Sequence, residues 1–409
     1  MRTYSLFSIV LLCLAILFID VLTFYWLQSI TEFIPSTLFN TIIHSLFWIF
    51  TIGLILAIVI LKVKLDDINP RRKQLLISAL YGLTISSFVP KIFFVIVISI
   101  LFFGNYILSG KESLIIVPFV GILSGFLPFF IIVYAIFKAV YHFKVHRHKI
   151  QFLHLPMSFD GLKIVHISDL HLGGFNYRYK ILKRAVDLIN SLQPDLIFFT
   201  GDLVNNYAWE LIGWNKVFKN LIAKKGKYAV LGNHDYGDYS EWDSKIEKKE
   251  NFDKIKRFYD EIDFKLLLNE AELINISDEC LAIIGVENWG KPPFKQYGDL
   301  GLSLKHVSTI SFKILLSHDP THWNEEVVNK TDIALTLSGH THGMQAAIKL
   351  INKTWSPIKY KYEHWAGLYK QHHQFLYVNR GLGWIGFPGR LGMRPEITLL
   401  ELKCSNKSL

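Results

Sequence analysis

The sequence predicts an all-α four-helix transmembrane domain followed by a layered α/β domain whose helices lie outside the sheet. Three observations carry this. The 409 residues are 51% hydrophobic with a positive mean hydropathy, an apolar share above that of ordinary soluble domains. The excess falls almost entirely before about residue 140. Beyond residue 162, short apolar runs alternate with helical patterns, and the runs end in Asp, Asn and His.

The amino-terminal part holds four apolar segments, residues 6–27, 38–61, 75–103 and 114–137. Each is long enough to cross a ~30 Å hydrocarbon core, which takes about 20 apolar residues. The first is too long for a removable signal peptide and lacks a small-residue cleavage site, so it reads as a retained helix. Residues 62–73 carry five Lys/Arg and residues 138–149 carry four, whereas 28–36 carry none and 104–112 only Lys111. The positive-inside rule then predicts a multi-pass protein of the inner cell membrane with both termini and the α/β domain on the cytoplasmic side. Two ionisable residues fall within spans, Asp20 in the first and Lys91 in the third. At ~1.5 Å per residue they reach similar depths. Either they pair with each other or each snorkels to the outer surface.

The formal charge of +10 admits nucleic acid or anionic lipid as the partner. Much of it sits beside the spans, which favours the membrane and argues against nucleic acid. Three cysteines, Cys13, Cys280 and Cys404, provide neither a disulfide framework nor zinc spacing. The predicted organisation is a transmembrane domain over 1–140, a basic juxtamembrane linker over 141–160 and the α/β domain over 161–404.

In that domain, strands are predicted at residues 163–168, 196–200 and 228–231, then in "CLAIIGVEN", "FKILLSHDP" and "DIALTLSGHTHG". Every metal-capable residue lies just past the carboxyl end of one of them: Asp169 and His171, Asp202, Asn233 and His234, His318, His340 and His342. In α/β sheets the loops converge at that edge and ligands gather there. Alternate residues of an extended backbone point the same way, so Asp169 and His171 are expected to reach one ion, and His340 and His342 two adjacent ions. Any one piece also fits an ordinary hydrogen-bonded loop residue; five in order do not. His166, inside a strand, reads as core or helix-facing, and His142, His146 and His148 as part of the basic collar.

Asp169-x-His171, Gly201-Asp202, Gly232-Asn233-His234-Asp235, His318 in "SHDP" and Gly339-His340-Thr341-His342 resemble the five motifs of the calcineurin-like metallophosphoesterases. The "GHTHG.Q" ending and the tail "YVNRGLGWIGFPGRLGMRPEITLLEL" resemble a membrane-linked bacterial subfamily that includes UDP-diacylglucosamine hydrolases. Met344 departs from it, standing where that subfamily has a second glycine. The resemblance implies a sheet sandwich with flanking helices and two divalent ions. It places Asp169, His171 and His342 on the first ion, Asn233, His318 and His340 on the second, and Asp202 on both. His234 is implied as a catalytic donor to the phosphate or the leaving group, against the alternative of a prop for Asn233. An oxygen and imidazole ligand set without thiolate suits manganese, iron or zinc.

The implied activity is metal-dependent hydrolysis of a phosphodiester or pyrophosphate. Two substrate classes stay open: a phosphorylated lipid or nucleotide-lipid drawn from the membrane, or a soluble nucleotide or phosphoprotein with the spans only an anchor. A non-enzymatic scaffold is a third reading, though no ligand of the motif set is missing. "TWSPIKYKYEHWAGLYK" and "GWIGFPG" mix Trp, Tyr and Lys and read either as membrane-interface loops, with Trp365 and Trp384 as anchors, or as packing aromatics. Arg380, Arg390 and Arg394 are candidate phosphate clamps. Oligomeric state is not legible.

Overall fold

The structure, a computed structural model, describes residues 5–64, 67–109, 116–351 and 353–405. Lys111 and the start of the fourth predicted span lie outside the described residues, as do residues 65–66 of the first basic connection. The chain forms two compact units. One comprises Ala139–Ile385 with the segment from Arg390 onward; the other is the helical region before Ala139 together with Gly386–Gly389.

The helical unit contains α1 (Leu6–Thr31), α2 (Thr37–Val63), α3 (Pro70–Ser109) and α4 (Ile116–Phe137), and four segments of this region are long and apolar enough to cross a membrane. Ser5 and Ser36 cap α1 and α2 by accepting from Ser8 and Phe39 backbone N–H groups. Gly121 and Gly125 bring α4 against α3: a Cβ at these positions would lie 3.0 Å from Ile98 and 3.3 Å from Phe94. The two intramembrane charges do pair. Lys91 Nζ lies 2.8 and 2.9 Å from the Asp20 carboxylate oxygens, Thr51 of α2 donates to the same carboxylate, and Asp20 is buried. The ammonium also sits 4.8 Å from the Phe47 ring. One polar cluster therefore links α1, α2 and α3.

The second unit opens with strands β1 (Lys144–Phe152), β2 (Lys163–Ile167), β3 (Leu196–Thr200), β4 (Gly226–Val230) and β5 (Lys265–Leu266). It continues with β6 (Glu270–Ile276), β7 (Glu279–Gly285), β8 (Lys313–Leu316) and β9 (Leu335–Ser338), a small hairpin of β10 (Ile348–Leu350) and β11 (Lys353–Trp355), and then β12 (Gly367–Gln371), β13 (Gln374–Val378) and β14 (Glu396–Cys404). The strand orders are β1-β14-β2-β3-β4-β5 in one sheet and β12-β13-β9-β8-β7-β6 in the other. Ile164, Phe198 and Val230 of the first sheet meet Ile283, Ile314 and Leu337 of the second in a shared core. The first sheet's other face (Val165, Ile197, Phe199) packs on helices Tyr179–Ser191 and Lys245–Glu261, and the second's (Ile284, Leu315, Val378) on Trp323, Val327 and Leu300. Alternation along each strand thus makes the predicted layered sandwich with flanking helices.

The segment 141–160, expected to be a linker, carries β1, which pairs in parallel with β14 from Lys144↔Glu396 to Phe152↔Cys404. Its polar side chains suit an edge position. Only Ile150 and Phe152 of this strand are buried.

Between the sheets, beneath the loop-bearing edge, lies a polar network. Glu396 accepts from Tyr377 Oη at 2.5 Å and Thr398 Oγ1 at 2.7 Å and pairs with Arg380. Asn379 Nδ2 bridges Thr398 Oγ1 and the His166 carbonyl, and His166 Nε2 bonds Thr200 Oγ1 at 2.8 Å. Burial pushes the His166 imidazole down from 6.5 to about 4. Burial raises the Glu396 carboxyl, but Arg380 and His146 outweigh it and hold it at about 2. Both folded values lie below their unfolded ones, so the unfolded chain binds more protons and both contributions are lost on acidification. The His166 contribution, on the order of 3 kcal/mol, is complete above pH 6.5 and disappears towards pH 4. That of Glu396 is complete above 4.5 and disappears towards about 2. Thermal midpoints of the α/β unit in the full-length protein are expected to fall steadily below pH 6.5; a flat profile from pH 7 to 4 contradicts this.

Candidate metal centre

The strand ends of this sandwich bring the predicted residues to one place. Asp169, His171 and His342 form one group and Asp202, His318 and His340 a second, with ligand atoms inside each group within 4.8 Å of one another. Asp202 stands between them: its Oδ2 lies 3.2 Å from His318 Nε2 and 3.5 Å from His171 Nε2. Asn233 Oδ1 joins the second group, 2.8 Å from His340 Nδ1. His234 lies alongside, its ring 5.1 Å from that of His171.

Convergence does not come from strand alternation, as expected for Asp169 and His171. Both residues sit beyond the end of β2 with φ of 51° and 46°, and Asp202, His340 and His342 have φ of 59°, 70° and 51°. Each left-handed turn of this kind costs on the order of 1–3 kcal/mol and is typical of functional sites. Met344 keeps φ at 56°, the conformation a glycine would adopt without strain. Two other glycines serve close approach. A Cβ at Gly232 would fall 2.2 Å from Asp202 Oδ1, and one at Gly339 would fall 1.9 Å from Ser168 Oγ.

The donor set fits divalent cations. His171 Nε2 faces His342 Nε2 at 3.1 Å, and His318 Nε2 faces His340 Nδ1 at 3.2 Å, next to the buried Asp169 and Asp202 carboxylates. Nitrogen lone pairs that converge beside carboxylates call for a cation among them, and imidazole with carboxylate suits manganese, iron or zinc. Two of the outer nitrogens, those of His318 and His340, are already oriented. His318 Nδ1–H donates to the Thr200 carbonyl at 2.6 Å, leaving Nε2 free for a ligand role. His340 is turned the other way, with Nε2 bonded to Tyr362 Oη at 2.8 Å and Nδ1 facing the group. Burial opposes charge on His318, but Asp202 outweighs it and its pKa rises to about 10. Burial likewise works against the Asp202 carboxylate, yet His318 and His234 hold it well below the usual range.

Two buried carboxylates that the sequence reading gave no role hold the loops together. Asp235 accepts from the backbone N–H groups of Asp202, Leu203, Val204 and Gly232, tying the second motif to the third. Its place directly after Asn233-His234 was the available signal. Glu210 accepts from Gly173, Asn205, Asn206 and Tyr207. Gly173 and these neighbours of Glu210 meet only in the folded chain.

The family description Calcineurin-like phosphoesterase matches residues 162–344. The Bacillus subtilis (strain 168) protein named uncharacterized metallophosphoesterase YkuE is 31% identical over 270 residues, which covers 64% of this chain and 85% of that protein. The chain belongs to the calcineurin-like phosphoesterases. The Escherichia coli (strain K12) protein named Phosphodiesterase YaeI is 27% identical over 265 residues, covering 64% of this chain and 88% of its own. The Danio rerio protein named transmembrane protein with metallophosphoesterase domain is 29% identical over 259 residues, covering 61% of this chain, and the match spans 55% of that relative's length. The metallophosphoesterase is thus a phosphoester hydrolase with four candidate membrane helices and two groups of side chains that could hold a metal.

The three arginines named as candidate phosphate clamps each have partners within the protein. Arg380 pairs with Glu396. Arg390 is buried and donates to the carbonyls of Gly383, Arg380 and Met393, with Nη2 3.4 Å from His342 Nδ1. Arg394 donates to the carbonyls of His142 and Phe143. Buried carbonyls need donors, and a guanidinium supplies five. Trp384, a candidate membrane anchor, is buried with its ring 4.5 Å from Phe175 and 5.8 Å from Tyr141, which favours the packing reading for it. Trp365 is half-buried and its carbonyl accepts from Thr341 Oγ1 at 2.6 Å.

Proposed function

We propose that this metallophosphoesterase hydrolyses a phosphodiester or pyrophosphate bond of a phosphorylated lipid or lipid-linked nucleotide at the cytoplasmic face of the inner membrane. The observation that carries it is the pair of ligand groups meeting at Asp202 on a chain with four apolar helices. Asp169, His171 and His342 would hold one divalent ion, Asn233, His318 and His340 a second, and Asp202 both. Such ions, manganese, iron or zinc, polarise phosphoryl oxygens and acidify water.

The protein's own groups supply the rest. Asp202 Oδ1 accepts from the His234 backbone N–H at 2.9 Å, so the bridging carboxylate also positions the catalytic loop. His234 Nδ1–H donates to the Asn205 carbonyl at 2.7 Å, which fixes the ring and leaves Nε2 as its working end. From there a protonated His234 donates to a non-bridging oxygen or to the departing alkoxide, a contribution on the order of 10²–10⁴ in rate. Tyr239, whose ring lies 4.6 Å from that of His234 and whose Oη accepts from Asn233 Nδ2 at 2.9 Å, walls this side. The basic residues flanking the helices support the cytoplasmic placement.

The test is incubation of the purified, manganese-loaded protein with membrane lipid extract, followed by mass spectrometry. Loss of a phosphorylated lipid is expected, with His234→Asn losing turnover while retaining bound metal. Cleavage of soluble nucleotides with no lipid consumed would reject the lipid assignment, and loss of metal in His234→Asn would make His234 a prop for Asn233.

A further inference from the structure

The segment after the last motif is fastened to the metal loop at three points. Ser356 Oγ donates to the Gly343 carbonyl at 3.0 Å, Tyr362 Oη bonds His340 Nε2 at 2.8 Å, and Thr341 Oγ1 donates to the Trp365 carbonyl at 2.6 Å. Lys361 lies inside this clamp, and its backbone N–H is held by the Ile358 carbonyl at 2.9 Å. Its Nζ stands 5.5 Å from the Phe294 ring and 5.4 Å from the Tyr362 ring. The same two rings stand 4.8 and 5.5 Å from the His340 imidazole. Phe294 and Tyr362 therefore form a wall with the metal-ligand histidine on one part and an exposed ammonium on another. The lysines beside Phe294 are neutralised, Lys291 by Glu325 and Lys295 by Asp238. Among the described residues Lys361 has no such carboxylate.

Ring faces hold an exposed ammonium by about 0.5–1 kcal/mol and satisfy none of its three N–H donors as a charged acceptor does. Lys361 is thus held in place with its donors unspent. We propose that Lys361, carried by Phe294 and Tyr362, binds the second phosphoryl group of a diphosphate substrate while the scissile phosphoryl lies at the metal-ligand groups. This rests on the reading that the chain cleaves a phosphodiester or pyrophosphate bond, and it narrows that reading to substrates with adjacent phosphoryl groups.

Calorimetric titration of the full-length, manganese-loaded protein tests it directly. Methylenediphosphonate, with two phosphoryl groups, is compared with methylphosphonate, with one, in the natural protein, Lys361→Gln and Lys361→Arg, with bound metal measured throughout. The expected result is about tenfold weaker methylenediphosphonate binding in Lys361→Gln, the scale of one charged hydrogen bond, with methylphosphonate unchanged and Lys361→Arg largely restored. Equal losses for both ligands, or no loss for either, overturn the subsite. Hydrolysis of bis(p-nitrophenyl) phosphate, which has no second anion, is expected to be the same in Lys361→Gln. Its absence from the natural protein, with the binding contrast intact, removes the phosphodiesterase reading and leaves the subsite standing. Vesicles bearing farnesyl diphosphate and free uridine diphosphate separate the sources: a Lys361-dependent contrast confined to the vesicles assigns the group to a lipid, and one confined to the nucleotide assigns it to a soluble substrate.

Discussion

Asp202→Asn is expected to lower phosphodiester turnover by at least about 10²–10³-fold and to reduce the divalent metal bound per chain. The side chain keeps its shape, so the loop fold survives; what disappears is the one negative charge shared by both ligand groups. Its Oδ2 is within 3.2 Å of His318 Nε2 and 3.5 Å of His171 Nε2, and its Oδ1 holds the His234 backbone. Two dications held close together repel strongly, and a neutral amide between them offsets little of that. Elemental analysis alongside turnover checks the result. A variant with full metal content and full turnover would remove Asp202 from the centre of this account.

The second large effect lies in the helical unit. Asp20→Ala leaves the Lys91 ammonium without its carboxylate in an apolar surrounding, and breaking a buried pair in this way costs about 3–5 kcal/mol. Lys91→Ala strands Asp20, which keeps only the Thr51 hydroxyl of the two partners described here. The double substitution is expected to destabilise by clearly less than the sum of the singles, because neither charge is then left behind. Unfolding of the three variants in detergent, followed by helical signal, measures the coupling. Additive losses would mean that the two charges act independently.

How much of this was legible depends on how far apart the interacting residues are. The order of strands and motifs was readable because each motif is local: an apolar run, a turn-forming glycine and a polar residue within a few positions. The similar depth of Asp20 and Lys91 was readable because helix rise is constant, but only the folded chain decided that they pair and do not snorkel apart. β1 was not readable, since "KVHRHKIQF" looks like a charged linker until β14, some two hundred and fifty residues later, supplies its hydrogen-bonding partner. Arg380, Arg390 and Arg394 illustrate the same limit: residue type announces a fork of donors, but only the folded chain says that Glu396 and backbone carbonyls accept from them.

Residue order alone was enough for four apolar helices, an alternating α/β unit and metal-capable residues at the strand ends, because periodicity and turn chemistry act over a few residues. Three things required the folded chain: the left-handed turns that aim Asp169, His171, Asp202, His340 and His342; the carboxylates of Asp235 and Glu210 that bind loops to one another; and the Phe294–Tyr362 wall that both Lys361 and His340 approach. Each depends on backbone groups or rings distant in sequence coming within hydrogen-bond or van der Waals range, and those ranges are set by packing, which no local pattern encodes.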